Sequence, residues 1–193
     1  MAERTYVSIV SGLPRSGTSL MMQMIDRGGL AALTDLLRTP DEDNPKGYYE
    51  FEPVKRTRQD PAWVKNAVGK VVKMTHLLLL DMPLQYDYRV VFMRRNLDEV
   101  IKSQNIMLER RGKETGDMPK ERLTDLFRVQ IHKVQRYMLD HADRFKLVEV
   151  DYNQIMRDPR PDVEKVSAFL DGLEVEKMLA VVDLSLYRNR IGN

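Results

Sequence analysis

The chain has no cysteine, few histidines and little net charge, and each of these features excludes a class of protein or site. It has 193 residues and no cysteine, which excludes disulfides, thiolate metal sites and a cysteine nucleophile. Its 3 histidines lie far apart in the sequence, so we do not expect a histidine metal site. The formal net charge is only +2, and this balance argues against a nucleic-acid partner.

Long apolar runs are also absent. No run approaches the length that crosses a membrane, and the first residues lack the apolar core of a secretion signal. We therefore expect a cytoplasmic protein without a membrane partner. Hydrophobic residues make up 42% and charged residues 31%, a composition typical of a soluble globular chain, and we expect one domain over residues 1–193.

The most informative feature that is present is a glycine-spaced turn near the N-terminus. Residues 12–19 read GLPRSGTS, between an apolar run and a helical pattern. In such a strand–loop–helix unit, backbone N–H groups converge on one anion. The spacing of Gly12 and Gly17 is that of a nucleotide P-loop, but Thr18 stands where a lysine is expected. Because that lysine reaches the β- and γ-phosphates of ATP or GTP, its absence favours another ligand with a phosphate-like group.

The residues of this loop suit an anion site. Gly17 lets the backbone close around an oxygen, and Arg15 supplies a cation that can bind two oxygens at once. Thr18 and Ser19 offer hydroxyl and backbone donors at the positive end of the helix. Ser16 completes the set of predicted binding residues in the loop.

Short valine-rich segments alternate with helical patterns along the rest of the chain. Strands are predicted at 70–74, 89–93 and 146–150, and helices at 97–110, 119–141 and 161–171. This alternation predicts an α/β fold of three layers, with a central parallel sheet flanked by helices. Asn96 is expected to cap the first of these helices, with Glu99 completing a capping box. The polar, proline-containing segment 38–53 is predicted to be a lid on the acceptor side.

A second anion-binding pair is predicted at the end of the strand at 89–93. Arg95 follows this strand, and Ser103 lies seven residues after Asn96, nearly two helical turns, so it faces the same way. By themselves, Arg95 and Ser103 would be interpreted as a surface ion-pair residue and a solvated serine. Because ligands of open α/β sheets collect at the carboxyl ends of strands, we expect the pair to face the loop at 12–19.

The two segments together resemble the nucleotide-binding motifs of sulfotransferases. Residues 13–19 are similar to the family's 5′-phosphosulfate loop, residues 95–103 to its 3′-phosphate segment, and residues 148–159 to its late strand and helix. The resemblance implies a P-loop sulfotransferase-like fold. It also implies 3′-phosphoadenosine-5′-phosphosulfate (PAPS) as sulfuryl donor, adenosine 3′,5′-bisphosphate (PAP) as product, a small acceptor with a hydroxyl or amine, and no metal. Arg15 and residues 16–19 would then hold the phosphosulfate, and Arg95 and Ser103 the 3′-phosphate.

Two residues are candidates for the general base that deprotonates the acceptor. His76 follows the strand at 70–74, in a segment that resembles the Lys-Thr-His segment of cytosolic sulfotransferases with one residue inserted after Lys73. A histidine titrates near neutrality and can take a proton from an attacking hydroxyl, although a histidine that merely caps a strand is an equal interpretation. Glu50 is the competing base because other sulfotransferases use a glutamate, and Glu52 is a weaker alternative. For both acids a solvated loop charge is the ordinary interpretation.

The C-terminal tail departs from the cytosolic members of the family, because it lacks their Arg-Lys-Gly element. Arg188 or Arg190 is predicted to contact the 3′-phosphate instead, with a solvated basic tail as the alternative. Two other functions stay open. A nucleotide kinase or other NTPase is disfavoured by the missing lysine and by the lack of an obvious magnesium-holding acid at a strand end. A non-catalytic nucleotide-binding relative would keep the loop without the base.

Overall fold

A computed structural model describes residues 4–35, 37, 39, 41, 47–110, 112 and 118–187. The strands in these ranges are β1 (Val7–Gly12), β2 (Val71–Lys73), β3 (Tyr88–Arg94) and β4 (Phe145–Asp151). The α-helices are α1 (Thr18–Arg27), α2 (Val64–Ala67), α3 (Leu97–Arg110), α4 (Lys120–Asp140), α5 (Tyr152–Ile155), α6 (Arg160–Phe169) and α7 (Val175–Leu179). Short 3-10 turns occupy Glu52–Arg56, His76–Asp81 and Leu184–Leu186.

The four strands form one parallel sheet in the order β2-β1-β3-β4. The register pairs Ile9 of β1 with Val72 of β2 and with Val90 of β3. The predicted α/β fold with a central parallel sheet is therefore confirmed, and the predicted strands deviate by one residue at each end. Since all strands run the same way, their carboxyl ends meet at one edge of the sheet.

Helices cover the sheet on both faces, because alternate residues of each strand point to opposite sides. Ile9 and Val90 lie in a core cluster with residues of α3 and α4. Val10 and Val91 lie in a second cluster with residues of α1, α6 and α7. No α-helix in the described ranges has the length and apolar character needed to span a membrane.

The strand order creates a crevice between β1 and β3. From β1 the chain proceeds to β2 on one side and then crosses to β3 on the other side of β1. After β1 the chain therefore turns towards β2, and after β3 it turns the opposite way, towards β4. The two connections diverge at the carboxyl ends of β1 and β3. Ligands of open α/β sheets bind at such switch points, and here the loop before α1 meets the segment before α3.

The start of α3 confirms one local prediction and corrects another. Asn96 caps the helix, since its Oδ1 accepts from the backbone N–H groups of Asp98 at 2.9 Å and Glu99 at 3.4 Å. The predicted capping box is wrong, because the backbone N–H of Asn96 donates to Asn153 Oδ1 at 3.0 Å. Glu99 turns into the protein, where Arg95 offers a cationic partner.

Candidate active site

Residues 13–17 form a tight loop between β1 and α1. The hydroxyl of Ser16 donates to the carbonyl oxygen of Leu13 at 2.7 Å, and its backbone N–H donates to the same oxygen at 3.2 Å. The hydroxyl of Ser16 thus closes the loop, and a role in ligand binding stays a prediction. Arg15 adopts φ 70°, a left-handed conformation that is uncommon outside glycine and that concentrates in functional loops.

Gly17 is required by both its conformation and its surroundings. Its φ is 94°, and a Cβ built on it would lie 2.3 Å from Cδ2 of Tyr152. As the N-cap of α1 it offers no capping side chain, and the first turn, which begins with Thr18, contains no acidic residue. The first N–H groups and the positive end of the helix dipole are therefore suited to an anion.

The two predicted anion-binding segments meet at Arg15. Nη1 of Arg95 donates to the backbone carbonyl of Arg15 at 3.0 Å, and Nε of Arg15 donates to Oγ of Ser103 at 3.0 Å. The side chain of Arg95 is 7% exposed and Ser103 is 2% exposed. The interpretation of this pair as a surface arginine and a solvated serine is therefore wrong.

Arg95 is held in one orientation by its neighbours. Its Nε lies 3.0 Å from Oε2 of Glu99, in an ion pair whose carboxylate side chain is 4% exposed. Its guanidinium also lies 4.6 Å from the ring centroid of Tyr152. Nη2 of Arg95 has no hydrogen bond to any residue that the structure describes. The fixed guanidinium therefore retains donors on one edge for an anion.

The C-terminal segment reaches the same place. The hydroxyl of Tyr187 donates to Oε1 of Glu99 at 3.1 Å, and Nδ2 of Asn153 donates to Oε2 of Glu99 at 3.0 Å. Arg188 and Arg190, which are predicted to contact the 3′-phosphate, lie outside the described residues. Tyr187, which immediately precedes Arg188, contacts Glu99, the carboxylate that orients Arg95.

Lys73 is a site residue that the sequence reasoning missed. It is the last residue of β2, and its Nζ donates to Oγ of Ser19 at 3.3 Å and to the backbone carbonyl of Tyr48. A second cation therefore lies beside the start of α1. Its position near the end of a predicted strand was the signal in the sequence that could have identified it.

His76 is buried beside the end of β1. It is 4% exposed, its Nε2 lies 3.0 Å from Oε1 of Gln130 on α4, and its Nδ1 has no hydrogen-bonding partner among the described residues. Burial lowers the pKa of His76 from its ordinary value of 6.5, while the hydrogen bond with Gln130 and the backbone of Gly12 act in the opposite direction. The ring is therefore neutral at pH 7 and able to accept a proton.

Glu50 lies on a half-buried segment attached to residues 34–35. Its backbone carbonyl accepts from Oγ1 of Thr34 at 2.9 Å and from the backbone N–H of Asp35 at 3.2 Å. Residues 38, 40 and 42–46 of the predicted lid lie outside the described residues. Near the end of the predicted lid, the backbone N–H of Glu52 donates to Oδ2 of Asp35 at 2.6 Å.

Comparison with solved structures relates this geometry to a known fold. The sulfotransferase domain of the Synechococcus PCC 7002 olefin synthase matches with a TM-score of 0.54 at 16% identity, over 95% of this chain and 79% of that one. The sulfotransferase domain from the curacin biosynthetic pathway matches with a TM-score of 0.53 at 14% identity, over 94% and 79%. No model of a protein family matches the chain, and no curated protein matches its sequence. The chain thus has a sulfotransferase-like α/β fold.

Proposed function

We propose that the protein is a sulfotransferase that moves a sulfuryl group from PAPS to a hydroxyl or amine of a small acceptor. The observation that carries the proposal is the meeting of Arg15, Arg95 and Ser103 at the carboxyl ends of β1 and β3. The similar sulfotransferase domains support the same class of reaction.

The charges of the site suit a ligand with two separate anionic groups. One set of donors is Arg15, Lys73 and the uncapped start of α1. The other is Arg95 with Ser103, where the buried carboxylate of Glu99 offsets the charge of the guanidinium and leaves its other N–H groups as donors. PAPS carries a phosphosulfate at one end of its ribose and a 3′-phosphate at the other. These are the groups that the two sets of donors would hold.

The residues of the site suit transfer chemistry that depends on alignment and charge. PAPS supplies a sulfuryl group bonded to a phosphate leaving group. Arg15 and the N–H groups of α1 would stabilise the negative charge that develops on this phosphate, and Lys73 would add a second positive charge at the same 5′ end. His76 would take the proton of the attacking hydroxyl, which requires the acceptor to reach its buried ring. Glu50 is the alternative base.

Calorimetry with PAP, ADP and ATP, each with and without magnesium, tests the proposal. We expect PAP to bind without magnesium and more tightly than either ADP or ATP. Tighter, magnesium-dependent binding of ATP would refute the proposal in favour of a kinase or NTPase. Binding of PAP without a sulfated product from PAPS, across a panel of phenols, alcohols, sugars and amines, would identify a non-catalytic relative.

A further inference from the structure

A glutamine on α4 contacts one of the two ring nitrogens of His76. Oε1 of Gln130 lies 3.0 Å from Nε2 of the imidazole. Its helix neighbour Ile131 packs into the core between the helix and the sheet, so α4 fixes the position of this amide. Nδ1 of His76 is buried and has no described partner. The two nitrogens of the ring therefore lie in different surroundings.

The chemistry of the amide determines which nitrogen carries the proton. A carbonyl oxygen only accepts hydrogen bonds, so Nε2 beside it must be the N–H of a neutral ring, and Nδ1 must then carry the lone pair. We infer that Gln130 is a positioning residue that holds His76 in the Nε2–H tautomer and presents Nδ1 as the basic nitrogen. The role of this nitrogen in taking the acceptor's proton rests on the proposed function, whereas the tautomer itself does not.

Charged side chains on the surrounding elements interact elsewhere. Asp81, on the same 3-10 turn as His76, acts on the phenol of Tyr137, whose pKa it helps to raise together with burial. Arg128 of α4 pairs with Asp125 at 3.1 Å. Lys73 donates to Ser19 and to the carbonyl of Tyr48. Among the described residues, burial lowers the pKa of His76, and hydrogen bonding with Gln130 and with the backbone of Gly12 raises it.

A neutral amide is suited to orienting a base in this environment. A carboxylate in its place would stabilise the imidazolium and raise the pKa of His76, so the ring would more often be protonated when the acceptor arrives. An aliphatic side chain would leave Nε2 without an acceptor in a buried site. Gln130 can fix the tautomer of His76 without adding a charge, because the hydrogen bond at one ring nitrogen determines which nitrogen carries the proton.

Long-range ¹H–¹⁵N NMR spectra of the full chain test this inference without any ligand. The protein has 3 histidines, and the other two rings can be assigned with His132→Gln and His141→Gln, so that His76 is identified by elimination. Above neutral pH we expect Nε2 of His76 at the shift of a protonated nitrogen and Nδ1 at that of an unprotonated one. A protonated Nδ1 would overturn the inference, because Gln130 would then be donating its NH₂ group.

Substitution of the glutamine provides the second readout. Gln130→Glu should raise the pKa of His76 by about one unit or more, because a carboxylate replaces the amide at hydrogen-bonding distance. Gln59→Glu, the same change at an exposed position outside α4, is the matched control and should leave that pKa unchanged. An unchanged pKa in Gln130→Glu would contradict the positioning role. Failure of PAP binding with the expected tautomer would refute the proposed function alone.

Discussion

Replacement of Gly17 by alanine should destabilise the protein through a single identifiable contact. The φ of 94° places an alanine in the left-handed region, at a cost of about 1–2 kcal/mol. Its Cβ would also lie 2.3 Å from Cδ2 of Tyr152, where one of the two groups must move. Such overpacking costs about 1–3 kcal/mol. The sum is a loss of about 2–5 kcal/mol in the free energy of unfolding.

Gly172 provides the matched control for this prediction. Its φ is 87°, but no atom lies within 4 Å of a Cβ built on it. Gly172→Ala should therefore lose only the conformational part, about 1–2 kcal/mol. In a protein of this size, about 2–4 °C of melting temperature corresponds to 1 kcal/mol. We expect Gly17→Ala to melt roughly 4–20 °C below the wild type and Gly172→Ala roughly 2–8 °C below it.

Thermal and urea unfolding of both variants would measure the difference. Repeating the substitutions in a Tyr152→Ala protein separates the conformational cost from the cost of the clash. Without the tyrosine ring, Gly17→Ala should destabilise the protein only as much as Gly172→Ala does. Equal losses for the two glycine variants in the wild-type background would show that the loop does not lie against Tyr152. The packing that places this ring beneath Arg95 would then be wrong.

Three further outcomes follow from the site. Burial lowers the pKa of His76, so as the pH falls the unfolded chain binds a proton at this histidine before the folded chain does. In urea unfolding below pH 6.5, the wild type should therefore lose more stability than His76→Asn. Parallel curves of stability against pH for the two proteins would contradict this. Lys73→Met should weaken PAP binding at least about tenfold in calorimetry, since a charged hydrogen bond contributes about 1.5–3 kcal/mol, and Lys70→Met, at an exposed position before β2, should not. Tyr187→Phe removes a hydroxyl that donates to the charged Glu99 and should lower the free energy of unfolding by about 1.5–3 kcal/mol. An unchanged free energy would show that the C-terminal segment does not contact Glu99.

The local motifs of the site could be predicted from the sequence because their geometry is set by neighbouring residues. The loop at 12–19 needs glycine at fixed positions, and Ser103 follows Asn96, the neighbour of Arg95, at a helical spacing. Parallel strands then bring the two segments to one edge of the sheet, as Arg95 and the carbonyl of Arg15 demonstrate. The fold class followed from the same alternation of strands and helices.

The contacts that depend on packing could not be predicted. Gln130 reaches His76 across 54 residues, and Tyr187 reaches Glu99 across 88. Neither pair has a sequence pattern, because their partners are determined by how α4 and the C-terminal segment lie on the sheet. Glu99 illustrates the difference, since the helix-start pattern predicted a capping box and the buried guanidinium of Arg95 provided a stronger partner.

The central claim is that Arg95 binds the 3′-phosphate of the same nucleotide whose 5′ end lies at Arg15. Calorimetry of PAP and adenosine 5′-phosphate with Arg95→Ala tests it most directly, with Arg94→Ala as control because Arg94 pairs with Glu149 on the exposed side. Arg95→Ala/Glu99→Ala repeats the test without an unpaired buried carboxylate. We expect Arg95→Ala to weaken PAP about 10–150-fold, with little effect on adenosine 5′-phosphate and no effect of Arg94→Ala. Equal losses for both nucleotides would contradict the account.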